Sequence, residues 1–307
     1  MKLLAIDGGG VRGLLPLYLL REFEERSGQT TLSLFDAFAG TSTGGLIAVG
    51  LTAGCSVAEL IDFYEQRAHE IFPSFRRRIW EALFRRLRYG LSAPRYDSAA
   101  LLDGVIDLVA HRKFRDLLKP TFVPTYDLTN GNLTLFASTN APETLTAVDV
   151  CMATSAAPGF LPGWSMTSLA GLRRTFVDGG VAANSPAALV AAHLLRTHDE
   201  VPIIVSLGTG IPRAPQYDAH TWGVAQWAPH YLDLFGDGNQ DAAHDICKTL
   251  VMPDHYFRFQ RVMRCRYAFD DAREHTLTSL AGEAATMIAE QSLSIDLALQ
   301  ALLSAKG

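Results

Sequence analysis

Gly40-Thr41-Ser42-Thr43-Gly44 separates two largely apolar runs of the chain, residues 35–39 and 45–51. The first run is typical of a buried strand and the second of a buried helix, so the pentapeptide predicts a tight strand-to-helix turn. Its two glycines permit a strained backbone and close packing of strand on helix, because neither carries a Cβ. Such a turn presents the Ser42 hydroxyl at a helix N-terminus, where backbone N–H groups favour negative charge. The pattern is that of a nucleophile elbow.

The composition favours a globular protein with a large core. The 307 residues are 48% apolar and 19% charged, and the net charge of −5 argues against a nucleic-acid binder. The four cysteines form no C-x-x-C pair, which argues against a zinc site and against a disulfide framework. Asp7 comes too early for a signal peptide, and no window has the ~18 consecutive apolar residues of a membrane span. We therefore expect a cytoplasmic protein, and we expect any membrane contact to be peripheral.

Strands alternate with helices along the chain, which predicts a mainly parallel sheet covered by helices on both faces. Strands are expected at residues 3–6, 35–39, 122–128, 132–138, 174–177, 202–207 and 256–260. Helices are expected at residues 14–26, 43–53, 57–71, 98–110, 145–155 and 186–196 and over most of the last thirty residues. Asn130-Gly131 predicts a hairpin between two of the strands. We expect a single domain over residues 1–307, with a motif-bearing core at 1–210, a helical lid or insertion at about 54–120 and a mostly helical part at 211–307.

Two other glycine-bearing turns follow short apolar strands. In Asp7-Gly8-Gly9-Gly10-Val11-Arg12-Gly13, the three consecutive glycines expose backbone N–H groups that can hold a developing oxyanion. A phosphate-binding loop of the sugar-kinase type is the alternative for this turn, although it leaves the elbow unexplained. Asp178-Gly179-Gly180 ends the strand at 174–177, and its glycines let another group approach the carboxylate closely.

Together and in this order, the three turns resemble the signature blocks of the patatin-like phospholipases, over roughly residues 1–210. The resemblance implies a three-layer α/β fold of the patatin/FabD-lysophospholipase type, with a mainly parallel central sheet flanked by helices. It also implies a lipid acyl hydrolase of the phospholipase A or lysophospholipase type that needs no metal and no cofactor. By motif position, Ser42 would be the nucleophile and Asp178 the base of a Ser–Asp dyad. Gly8, Gly9 and Gly10 would form the oxyanion hole, and Arg12 would support that loop or meet a lipid phosphate.

A dyad needs a carboxylate that is basic enough near neutral pH. A free aspartate has a pKa of about 3.9, and burial without a cationic partner raises that pKa. We therefore expect Asp178 to be buried and within hydrogen-bond reach of Ser42. A Ser–Asp–His triad is the alternative, because seven histidines follow Asp178 in the sequence.

Residues 75–89 carry six arginines in an otherwise acidic protein. On a helix, the apolar residues of this stretch fall at i+4 steps, and Arg77, Arg78, Arg85 and Arg88 gather on the other side. One interpretation is an interfacial helix on anionic lipid, and another is a helix packed on the core with a solvated basic face.

The same arginines permit a third interpretation. Some bacterial patatin-like enzymes are antiphage effectors activated by a cyclic nucleotide, whose phosphates arginines bind well. The expected partners are therefore a membrane phospholipid substrate and, as an alternative, a cyclic-nucleotide activator. The oligomeric state is left open, and a homo-oligomer is one possibility. A non-catalytic, patatin-shaped binding protein is disfavoured because every site position is intact.

Overall fold

The computed structural model describes residues 1–72, 94–167, 171–198, 200–212, 219–227 and 230–305, so the arginine-rich stretch with Arg77, Arg78, Arg85 and Arg88 lies outside the described residues. The strands are β1 (Lys2–Ile6), β2 (Ala37–Gly40), β3 (Thr121–Asp127), β4 (Asn132–Ala137), β5 (Trp164–Thr167), β6 (Arg173–Asp178), β7 (Ile203–Leu207) and β8 (Tyr256–Phe259). The first helices are α1 (Leu14–Ser27), α2 (Thr31–Leu34), α3 (Thr43–Ala53), α4 (Val57–Ile71), α5 (Ala99–Val109) and α6 (Ala147–Ser155). They are followed by α7 (Gly180–Ala183), α8 (Ala187–Thr197), α9 (Val224–Trp227), α10 (Tyr231–Leu250), α11 (Glu274–Glu290) and α12 (Ser292–Ser304).

The strands form one mixed sheet in the order β5-β6-β3-β2-β1-β7-β8, with β4 also paired to β3. The five strands from β3 to β8 along this order are parallel to their neighbours. The strands β4, β6 and β5 extend the sheet at the β3 end by antiparallel pairing. The mainly parallel sheet and the β3–β4 hairpin predicted from the sequence are both present.

Both faces of the sheet are buried, as the predicted three-layer arrangement requires. Successive side chains of a strand point to opposite faces, and those of β1 divide accordingly between two apolar clusters. Leu4 and Ile6 belong to the larger cluster with α1, α3, α4 and α11. Leu3 and Ala5 belong to the smaller cluster with α8 and α10. The central strand is therefore covered by a helical layer on each side.

Local signals fix the helices nearest the site. Every residue of α3 is buried, and the helix ends at Gly54, whose φ of 104° is accessible to glycine at little cost. In α4, the Ser56 side chain accepts from the Glu59 N–H while the Glu59 carboxylate accepts from the Ser56 N–H, forming a capping box. The short edge strand β5 was not predicted, because it is only partly buried and its sequence lacks the apolar pattern of the inner strands.

Candidate active site

Two strands that share one edge of β3 bring Ser42 and Asp178 together. Because β4 pairs along residues 122–127 of β3, β2 and β6 must use the opposite edge. There β2 runs parallel to β3 at residues 121–122, whereas β6 runs antiparallel to it at residues 125–127. The carboxyl ends of β2 and β6 therefore point towards each other across residues 123–124. Pro124 suits this gap, since proline has no N–H to leave unpaired.

The turn after β2 has the strained geometry of the predicted elbow. Ser42 has φ 53° and ψ −121°, an unusual conformation for a residue other than glycine. A Cβ at Gly40 would lie 2.0 Å from the Gly44 carbonyl oxygen, and a Cβ at Gly44 would lie 2.2 Å from the Ile6 carbonyl oxygen. No residue with a Cβ fits at position 40 or 44, which explains why a glycine lies on each side of the serine.

A threonine on α6 holds the strained serine in place. The Ser42 N–H donates to Thr154 Oγ1 at 2.9 Å, and the Thr154 hydroxyl donates to the Pro124 carbonyl oxygen at 2.8 Å. Thr154 is fully buried, so its hydrogen bond to Pro124 is shielded from water, whereas the one from Ser42 is partly buried. No sequence pattern indicates this role, because a threonine near the end of a helix has many ordinary uses.

Ser42 and Asp178 are joined by a short hydrogen bond. Ser42 Oγ donates to Asp178 Oδ2 at 2.6 Å, and Asp178 Oδ1 accepts from the Gly180 N–H at 2.7 Å. The Asp178 side chain is buried, with 6% of its surface exposed. Burial raises the pKa of Asp178 to about 6, and the hydrogen bonds from Ser42 and Gly180 oppose that rise. The burial and the hydrogen bond expected for this pair are both confirmed.

The glycine loop supplies fewer unpaired donors than expected. The Gly8 N–H donates to the Asn184 carbonyl oxygen at 3.0 Å, so in this arrangement it cannot also bind an oxyanion. Among the described residues, the N–H groups of Gly9 and Gly10 have no hydrogen-bond partner. Gly10 has φ 58°, and a Cβ there would lie 2.1 Å from the Phe269 carbonyl oxygen. In this arrangement Gly9 and Gly10 present unpaired N–H groups and Gly8 fastens the loop, and the oxyanion-hole role of the three glycines stays a prediction.

Two arginines brace this loop. Arg12 is buried, and it donates to the carbonyl oxygens of Gly9 at 3.3 Å and Gly210 at 3.5 Å, a geometry that suits loop support. Arg258 on β8 forms a buried ion pair with Asp7 at 2.5 Å. Burial raises the pKa of Asp7, and the neighbouring Arg258 guanidinium opposes that rise. The sequence did not predict the ion pair, because 251 positions separate its members.

A cleft of about 130 Å³ opens over Ser42 and Asp178. One part of its lining, which we call the apolar side, comes from α3, α4, α5 and the loop after α6, and consists mainly of Leu46, Phe63, Ile71, Leu101, Phe160 and Leu161. The other part, which we call the carboxamide side, consists mainly of Gly8, Gly180, Asn184, Gly236 and Gln240. The apolar side has the character of a pocket for a hydrocarbon chain.

The alternatives raised by the sequence find little support at this site. No histidine within the described ranges lines the cleft, as a Ser–Asp–His triad would require. In the part of the chain that the structure describes, no group of three or more His, Cys, Asp or Glu side chains is placed so that it could hold a metal ion. In the same residues, no helix is both long enough and apolar enough to cross a membrane.

Comparison with known proteins agrees with the three turns. The family model for patatin-like phospholipases matches residues 4–191. Patatin-like protein 2 of Arabidopsis thaliana is 31% identical, over 85% of this chain and 75% of its own length. The cGAMP-activated phospholipase of Vibrio cholerae is 32% identical, over 75% of this chain and 65% of its own length, so this chain spans less than two thirds of that relative. The crystal structure of VipD from Legionella pneumophila matches with a TM-score of 0.44 and 12% identity, over 94% of this chain and 67% of VipD. The matched family model covers all three signature turns, and this chain therefore belongs to the patatin-like phospholipase family.

Proposed function

We propose that this protein is a carboxylic ester hydrolase that acts on membrane lipids, of the phospholipase A or lysophospholipase type. The observation that carries the proposal is the 2.6 Å hydrogen bond between Ser42 and a buried Asp178, on a strained turn beneath a partly apolar cleft. Family membership and the presence of a phospholipase among the relatives support the same reaction class.

In the first step, Ser42 Oγ attacks the ester carbonyl carbon while its proton passes to Asp178 Oδ2. With a pKa of about 6, Asp178 is ionised at neutral pH and yet more basic than a free aspartate. The negative charge that develops on the carbonyl oxygen is bound by the Gly9 and Gly10 N–H groups. The alcohol then leaves with the proton from Asp178, and the acyl group remains on Ser42.

In the second step, a water molecule attacks the acyl carbon and gives a proton to Asp178. The same two N–H groups bind the second oxyanion. The bond to Ser42 Oγ then breaks, Asp178 returns the proton to that oxygen, and a fatty acid leaves. Each step uses only groups of this chain, the ester and one water, and Arg12 acts by holding the glycine loop.

The proposal is tested by fatty-acid release from phospholipid vesicles. We expect release by the wild type and a loss of about a thousandfold or more in Ser42→Ala and in Asp178→Ala. Asp62→Ala, at an exposed position on α4, serves as a control with the same change of charge. Full activity of Ser42→Ala would contradict the proposal, and ATP turnover that persists in Ser42→Ala would favour the sugar-kinase alternative.

A latent form of the same enzyme is a second candidate. Its support is that the Vibrio cholerae relative is named a cGAMP-activated phospholipase. The test adds cGAMP and other cyclic dinucleotides to the vesicle assay. A rise in fatty-acid release with one of them would establish a cyclic-nucleotide activator, and no change across the set would remove it.

Membrane contact through Arg77, Arg78, Arg85 and Arg88 also remains a proposal, as does action at the membrane surface. Both predict weaker binding to anionic vesicles when the four arginines become glutamate. Unchanged vesicle binding in that variant would contradict the contact.

A further inference from the structure

The carboxamide side of the cleft contains two amide side chains whose N–H groups have no assigned use. Asn184 follows α7, and Gln240 lies on α10 one turn after Gly236. The Asn184 amide fits between three glycines, because Cβ atoms at Gly8, Gly180 and Gly236 would lie 2.3, 3.0 and 3.4 Å from its atoms. The three glycines therefore make the space in which this amide lies.

The orientation of the Gln240 amide is fixed by a chain of donors. Gln260 Oε1 accepts from the backbone N–H groups of Gly210 at 2.8 Å and Arg261 at 3.0 Å, so Gln260 must present its NH₂ group elsewhere. That NH₂ group donates to Gln240 Oε1 at 2.8 Å, and Arg258 donates to the same oxygen at 3.4 Å. Because a backbone N–H can only donate, the network assigns the oxygen and nitrogen of both amides.

The Gln240 NH₂ group is consequently left without a partner. The side chain is 97% buried, since only 3% of its surface is exposed, and it lines the cleft. No hydrogen bond from Gln240 Nε2 exists within the described part of the chain. A bound molecule that accepts from this NH₂ group therefore gains a hydrogen bond without displacing another protein group.

The Asn184 side chain is only half-buried, but its carboxamide likewise has no hydrogen-bond partner among the described residues, although its backbone is fully engaged. Its carbonyl oxygen accepts from the Gly8 N–H, and its own N–H donates to Asn239 Oδ1 at 2.8 Å. The carboxamide group of its side chain makes no hydrogen bond to any described residue. The Asn184 side chain also lies close to the reacting pair. A Cβ added at Gly8 would be 2.3 Å from Asn184 Oδ1 and 3.3 Å from Ser42 Cβ.

We propose that Asn184 and Gln240 form a subsite for the alcohol portion of the ester, and that they donate hydrogen bonds to its oxygen atoms. The inference rests on the proposed function, since the acyl chain occupies the apolar side and leaves the carboxamide side to the alcohol. Neutral amide donors suit hydroxyl oxygens and phosphate oxygens alike. The subsite would therefore favour esters of glycerol or glycerol phosphate over esters of a simple alcohol.

Binding of ether analogues tests the subsite without hydrolysis. We would titrate the protein by calorimetry with dodecyl ethers of glycerol, glycerol 3-phosphate and ethanol, each below its critical micelle concentration or, for the ethyl ether, its solubility limit. The wild type is expected to bind at least one of the two glycerol ethers more tightly than the ethyl ether, by about fivefold to tenfold for each hydrogen bond. Preference for the phosphate over the free glycerol ether would identify a phosphate oxygen as the acceptor.

The variants Asn184→Asp and Gln240→Glu keep the shape and the acceptor oxygen of each side chain but remove its NH₂ group. Each is expected to reduce the preference for the glycerol ethers about fivefold to tenfold. Asn184→Ala and Gln240→Met repeat the test without a new charge, and thermal melts establish that each variant is folded. Asn140→Asp and Gln66→Glu make the same chemical changes at exposed positions and serve as controls.

Equal wild-type affinity for the three ethers would overturn the subsite, and so would variants that weaken all three alike. Hydrolysis of monododecanoylglycerol is measured separately. Absence of the ether preference in the wild type with hydrolysis intact refutes the subsite alone. Absence of wild-type hydrolysis, with and without cyclic dinucleotides, while the preference is intact refutes the proposed function.

Discussion

Replacement of Asp178 by asparagine removes a buried negative charge and is expected to stabilise the folded protein above pH 6. Burial raises the pKa of Asp178 from its ordinary value of 3.8 to about 6. Below pH 3.8 the group is protonated in both states and has no effect. Between pH 3.8 and 6 the folded state binds more protons than the unfolded state, so wild-type stability falls as the pH rises. Above pH 6 the full difference of about 2 pKa units costs the wild type about 3 kcal/mol, at 1.36 kcal/mol for each unit.

Asparagine keeps the size of the side chain and an oxygen that can accept from the Gly180 N–H. We therefore expect Asp178→Asn to gain up to about 3 kcal/mol at pH 8, or about 5 °C in melting temperature, and almost nothing at pH 3.5. Urea denaturation of both proteins from pH 3.5 to pH 8 measures the gain, and Asp62→Asn at an exposed position is the control. A gain that is independent of pH, or a loss of stability at pH 8, would refute the reasoning about burial.

Three other predictions follow from the site. Because Asp178 must be ionised to act as a base, kcat/KM for a neutral ester is expected to fall about tenfold per pH unit below about pH 6, and a flat pH–rate profile down to pH 4 would argue against it. Arg258→Met leaves the Asp7 carboxylate buried without its partner and is expected to cost about 3–5 kcal/mol in urea denaturation, so a change below about 1 kcal/mol would show that the ion pair is not structurally important. Gly44→Ala places a Cβ 2.2 Å from the Ile6 carbonyl oxygen and is expected to destabilise by more than about 4 kcal/mol. Gly282→Ala on α11, where a Cβ meets no atom within 4 Å, is expected to stabilise by about 1 kcal/mol, and similar melting temperatures for the two glycine variants would contradict the packing argument.

Much of the fold could be predicted because local signals agree with the tertiary structure. The helix expected at 14–26 is present as Leu14–Ser27, and the strand expected at 202–207 as Ile203–Leu207. The hairpin after β3 was marked by Asn130-Gly131, and Gly131 has the positive φ that such a turn requires. These elements carry their own periodicity and turn residues, so no distant contact is needed to recognise them.

The pairing of Ser42 with Asp178, in contrast, could not be predicted from local sequence signals. No local pattern states that β2 and β6 meet on one edge of β3, and only the resemblance to a known family linked the two residues. The burial of Asp178 then followed from chemistry, because a solvated aspartate is a poor base at neutral pH.

What the sequence could not predict depends on contacts between distant segments. The Gly8 N–H is used by the Asn184 carbonyl oxygen, and the Ser42 N–H by Thr154. The partner of Asp7 is Arg258, on a strand near the other end of the chain. Each of these contacts depends on the order of strands in the sheet, which alternation of strands and helices does not determine.

The most direct test of the account is to detect the acyl-enzyme. The protein would be mixed with p-nitrophenyl octanoate, quenched in acid within the first turnovers, digested and examined by mass spectrometry. The account predicts an octanoyl group on the peptide that contains Ser42, and its absence in Ser42→Ala. Ester turnover without an adduct in that peptide, or with the adduct on another residue, would contradict it.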